Sequence, residues 1–160
     1  MTDVLIPPQI EDDTMPTLRH GVIIMRLGTY LTEFVTARGL GIVCAPQTTF
    51  KVVGSPPTRE PALAVVARSH VPGDLDVEAD VAPDLAVEVV SRSDTFGSVA
   101  IKVQQYLDSG TQIVWVVRPE IRTVEVYHPG SAPSMISSGD LAGAPVLPDF
   151  RVAVEDIFTV

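Results

Sequence analysis

One cysteine, Cys44, stands in 160 residues. No internal disulfide can form, and its setting in GIVCAP reads as a small core position rather than a nucleophile. Histidine is scarce as well. His20, His70 and His128 lie far apart and lack metal-ligand spacing, so no zinc site is expected. Positive charge is in short supply: 11 Lys+Arg face 20 Asp+Glu, a formal net charge of -9. Such a balance argues against broad, nonspecific binding to a phosphate backbone. It leaves room for a local basic groove, because folding could gather Arg19, Arg26, Arg38, Lys51, Arg59, Arg68, Arg92 and Lys102. No apolar run has membrane length and no signal-like leader opens the chain, which gives a cytoplasmic reading.

The remaining composition is ordinary for a globular protein: 46% hydrophobic and 19% charged residues, a length that suits one domain over residues 1–160. Proline is abundant, 14 residues against a usual share of about 5%, and it separates the apolar runs. Residues 1–15 read as an irregular, acidic lead-in, with Thr14 or Thr17 available to cap the first helix. From Pro16 to Arg38 the positions Leu18, Val22, Leu27, Leu31, Phe34 and Val35 recur near a helical period, and Gly39 and Gly41 end the helix. Gly41 to Pro46 and Thr49 to Val53 suggest the two strands of a hairpin. PALAVVA, from Pro61, reads as a strand covered on both faces, and Arg68 to Ala82 as a solvated loop.

A strand is then expected from Asp84 to Ser91, a turn at Arg92 to Asp94, and a helix from Gly97 to Asp108 closed by Gly110. A buried strand at Gln112 to Val117 and a half-exposed one at Arg122 to His128 come next, joined by a hairpin turn. Residues 129–160, rich in Gly, Pro and Ser, form a C-terminal extension folded over one edge of the sheet. PALAVV and PDLAVEVV echo one another, which suggests two similar strands lying close together.

The chemistry centres on the second of these. Alternation places Asp84, Ala86, Glu88 and Val90 on one face, so Glu88 is a lone carboxylate in an apolar run. Burial of an unpaired charge is costly, and Glu88 therefore needs a metal, a cation, a hydrogen-bond donor or a proton. Asp84 cannot share a metal with it, because four residues of strand span roughly 13 Å at about 3.3 Å each. A second ligand has to come from a neighbouring strand. Lys102 and Tyr106, four apart, share one face of the following helix and can return to the end of the Glu88 strand.

HGVI at His20, PDLAVEVVSRSDT, KVQQY, GTQIVWVV, RTVEVY and the closing LPDFRVAVEDIF, in that order, resemble the Uma-type restriction endonucleases of the P-D…(D/E)-x-K nuclease superfamily. The resemblance runs from His20 to the C-terminus. It implies an α/β (α+β) fold, a restriction-endonuclease-like core with a mixed central sheet flanked by helices. It also implies a magnesium site that hydrolyses DNA phosphodiester bonds, and a homodimer as a common state of such nucleases. Carried over, the metal glutamate is Glu88. The usual lysine two residues on is Val90 here, and Lys102 takes its role, with Ser91, Gln105 and Tyr106 supporting. The metal aspartate does not carry over: its place is Ala62. Glu60, Glu33 or Asp84 are the candidates to complete the site, Glu60 as the second metal ligand. Two readings are open, a magnesium-dependent endonuclease weakened by Ala62, and a catalytically inactive nuclease-fold binding or assembly module.

Overall fold

The computed structural model describes residues 16–160, so the lead-in and Thr14 lie outside the described residues. Helix α1 spans Leu18–Arg38; Thr17 caps it by accepting from the His20 amide, and Gly39 ends it in the left-handed conformation at φ 62°. Its buried stripe is Ile23, Leu27, Leu31 and Val35. Leu18 and Val22, expected on that stripe, miss it: Leu18 is almost fully exposed in the first turn, and Ile23 takes the core position.

The strands are β1 (Gly41–Cys44), β2 (Phe50–Lys51), β3 (Thr58–Arg59), β4 (Leu63–Ala67), β5 (Leu85–Val89), β6 (Ile113–Arg118), β7 (Thr123–Tyr127), β8 (Ser134–Ile136), β9 (Asp140–Ala142) and β10 (Arg151–Ala153). Helix α2 covers Phe96–Asp108 and α3 Val154–Phe158. The central sheet has the order β1-β4-β5-β6-β7-β8, antiparallel except for the parallel pair β5 and β6. That one parallel pair is produced by α2, the crossover that returns the chain to the same end of the sheet before β6 begins. The C-terminal ends of β5 and β6 therefore open on the same edge.

The hairpin expected from Gly41 to Val53 does not form. β1 pairs with β4, whereas β2 pairs with β3 in a separate ribbon. The echoing segments do lie side by side, as β4 and β5 in antiparallel register. Helix α1 and the C-terminal segment cover one face of the sheet, over Leu63, Val65, Leu85, Val87, Ile113, Trp115 and Val117. Helix α2 covers the other, where Val99, Val103 and Tyr106 pack on Ala86, Val114 and Val116. Strand β7 is more buried than its alternation suggests, since Thr123 and Glu125 are inside as well.

Candidate active site

Alternation along β5 sets Leu85, Val87 and Val89 into the α1-side core and Ala86 towards α2, and Glu88 with it. Glu88 is 8% exposed as a residue, and its carboxylate meets two groups from α2. The Tyr106 hydroxyl donates to Glu88 Oε1 at 2.8 Å, and Lys102 Nζ stands 3.6 Å from Oε2. Both come from one face of α2, four residues apart, and that helix is fixed at its start by a capping box between Thr95 and Ser98. Burial pushes the Glu88 carboxyl above its ordinary range; Lys102 and Tyr106 pull it back, and the Asp94 charge adds to the rise. Burial and the adjacent Glu88 charge push Tyr106 far up, which keeps it a hydrogen-bond donor.

Asp94 is the residue that sequence reasoning passes over as part of a turn. Lys102 Nζ donates to its Oδ1 at 3.3 Å, so the ammonium stands between two carboxylates. The Ser91 amide and hydroxyl donate to its Oδ2 at 2.9 and 3.0 Å, and Ser91 Oγ also lies 2.9 Å from Ser93 Oγ. Burial works against ionisation of Asp94, but Ser91 and Lys102 together outweigh it and hold the carboxyl below its usual range. The available signal is spacing. An acid in the turn between a strand with a buried glutamate and a helix with an inward lysine is placed to pair with that lysine.

The other predicted residues are elsewhere. Asp84, 4% exposed, accepts from the Ala67 amide at 2.7 Å and meets His70 Nδ1 at 2.8 Å, so it ties the entry of β5 to the exit of β4. Gln105 Nε2 donates to the carbonyls of Val53 and Pro56 at 3.0 and 2.9 Å, and its Oε1 accepts from Arg59 Nε at 2.7 Å. It clasps the β2–β3 loop and aims Arg59 rather than touching Glu88. Glu60 Oε1 accepts from Thr49 Oγ1 at 3.1 Å on the exposed side of that ribbon. Glu33 is exposed on α1, the helix that covers the opposite face of the sheet from Glu88.

Extending the β4–β5 register one residue past the Leu63–Val87 pair sets Ala62 opposite Glu88, and the Ala62 amide donates to the Val87 carbonyl at 2.8 Å. The chain bends there, and the methyl group packs against the α1-side core. A metal clasp of two carboxylates on adjacent strands is not what these donors form. Ala62 has no side-chain oxygen, Glu88 is engaged by Tyr106 and Lys102, and both Asp94 oxygens are committed. Among the described residues no group of three His, Cys, Asp or Glu side chains could hold a metal ion. None of the described helices is long and apolar enough to cross a membrane.

A solved structure from Anabaena variabilis, "a putative nuclease belonging to DUF820", superposes with a TM-score of 0.80. The two share 19% identity over 90% of this chain and 82% of that one, so the likeness speaks for a common fold. No curated protein matches. The family described as "Putative restriction endonuclease", Uma2, matches residues 8–155, and with that span the chain belongs to the Uma2 family.

Proposed function

We propose that the protein is a restriction-endonuclease-like nuclease acting on DNA phosphodiester bonds, with catalysis weakened because the metal-holding half of the site is incomplete. The observation that carries this reading is the retained half: a buried Glu88 at the C-terminal end of β5, held by Tyr106 and faced by Lys102. Lys102 is the group suited to a phosphate's developing negative charge, since it is a cation fixed by two acids in a partly dry setting. Tyr106 keeps Glu88 in one rotamer, and Ser91 does the same for Asp94. Magnesium is the ion that the family resemblance implies. Since the donors here do not form its two-carboxylate clasp, no step is assigned to it.

The test is plasmid nicking in magnesium or manganese by the parent, Ala62→Asp and Glu88→Gln proteins. Slow nicking by the parent, faster nicking by Ala62→Asp and none by Glu88→Gln are expected. If Ala62→Asp gains neither nicking nor calorimetric metal binding, the weakened-nuclease reading fails. The second reading, an inactive nuclease-fold binding or assembly module, then stands. One observation favours it: Lys102 is already engaged by both of the acids that remain, Glu88 and Asp94.

A further inference from the structure

Next to the Glu88 cluster, on the edge where β5 and β6 both end, lies a cleft of about 770 Å³. Its walls come from three places far apart in sequence: the first turn of α1, the turn after β5 and the β6–β7 hairpin. Each brings arginine: Arg19, Arg92, and Arg118 with Arg122. In a chain with only 11 Lys+Arg and a net charge of -9, the described lining brings together four arginines, of which Arg118 is paired with Glu125, and two carboxylates, Asp94 and Glu120. Three separate segments that converge with the scarce charge on one cleft are hard to explain as a solvated surface. Arginine is also the residue that grips phosphate oxygens with a planar fork.

The rim carries a second kind of group. Phe96, at the start of α2, is 77% exposed, and the Arg118 guanidinium lies over its ring at 5.2 Å from the centroid. Arg118 is itself held from below by Glu125, through Nε to Oε1 at 2.5 Å and Nη2 to Oε2 at 3.3 Å. The pairing leaves Arg118 less charge to offer a phosphate and makes it a fixed support for the aromatic ring. An exposed ring of this kind gains nothing from the core of the protein. It does offer a flat face to an unstacked base, beside cations spaced along a groove.

We propose that this cleft binds single-stranded DNA, with Arg19 and Arg122 on the phosphates and Phe96 stacked on a base, and that the bound strand passes beside the Lys102 side of the Glu88 cluster, which adjoins the cleft at Asp94. The choice of DNA rests on the proposed nuclease function; the preference for an unpaired strand rests on Phe96. Bases in a duplex are already stacked on both faces, and the ring would have nothing to cover.

The test is fluorescence anisotropy of a labelled oligothymidine of about 12 nucleotides in EDTA, so that cleavage plays no part. The parent should bind, and its affinity should fall steeply between about 50 and about 200 mM salt. Arg19→Ala with Arg122→Ala should weaken binding at least about tenfold and flatten the salt dependence. Phe96→Ala should weaken it about fivefold or more, the loss of one base stack. Lys51→Ala, remote in its exposed pair with Asp80, should bind as the parent does. The proposal is overturned by absence of strand binding at low salt or by arginine variants that bind like the parent. A duplex of the same length that binds as tightly and ignores Phe96→Ala overturns it too. Strand binding that persists while Ala62→Asp never nicks refutes only the hydrolytic reading, whereas nicking without strand binding refutes only this one.

Discussion

The two acids that flank Lys102 respond to pH in opposite senses, because burial prevails at Glu88, whereas at Asp94 burial is outweighed by the Ser91 hydrogen bonds and the Lys102 charge together. Glu88 is raised: between its ordinary value and its folded one, the folded protein holds a proton that the unfolded chain releases. Its contribution is therefore fully present at low pH and lost as pH rises through the folded value. Asp94 is lowered, so its contribution is present above its ordinary value and lost as pH falls through the folded one. Glu88→Gln keeps the shape and removes the titration. In urea unfolding, the difference between parent and Glu88→Gln should shift in favour of the variant as pH rises from acid to mildly alkaline. A difference that stays constant over that range would falsify the buried, proton-retaining state of Glu88. At this scale the sequence is informative where chemistry is local. Glu88, Lys102 and Tyr106 can be brought together from strand alternation and helix spacing alone. Asp94 cannot, because its role depends on how tightly the turn Ser91–Ser93 folds back, which the Ser91 hydrogen bonds decide.

The elements show where local pattern stops short. Short β-branched runs announce strands, but nothing in them names a partner. Proximity in sequence assigns β1 to the run after it, whereas β1 pairs with β4 across the intervening ribbon. That pairing needs a glycine at Gly41, with φ 148°, where an added Cβ would lie 2.0 Å from the Val66 carbonyl oxygen. That distance is far inside contact, and the obstacle is backbone of the paired strand, so it cannot swing aside. Gly41→Ala should accordingly cost about 3 kcal/mol of unfolding free energy, from strain at the site and loosening of the β1 edge. Denaturant unfolding reads this directly, and a loss below about 0.5 kcal/mol, the ordinary scatter of surface changes, would show that β1 docks some other way. β4, β5, α2 and β6 are legible because each carries its own signal: two apolar runs buried on both faces, an amphipathic helix with a glycine stop, and another apolar run.

For the molecule as a whole, the open question in the sequence is the standing of residues 129–160, whose glycines, prolines and serines suggest an extension laid over the sheet. The structure makes that segment part of the main core. Leu141, Leu147 and Ile157 are fully buried, and Phe150, Val154 and Phe158 nearly so, in the same cluster as the α1 stripe and the inner face of β5 and β6. Phe150 lies between them: its ring meets Phe34 of α1 edge-on at 5.1 Å and stacks on Trp115 of β6 at 5.8 Å. A helix, a central strand and the C-terminal segment thus share one packed contact, and we infer from it that they unfold together. Leu147→Ala should then destabilise the whole protein by about 2–5 kcal/mol, the range for an emptied leucine site in a core that cannot collapse around it. Trp115, the one tryptophan, reports on the Phe150 stack by fluorescence, while far-ultraviolet circular dichroism reports on α1 and α2. Both signals should move to the same lower midpoint in the variant. If fluorescence is lost well before the helical signal, the C-terminal segment melts as a separate piece, and the single-core description is wrong.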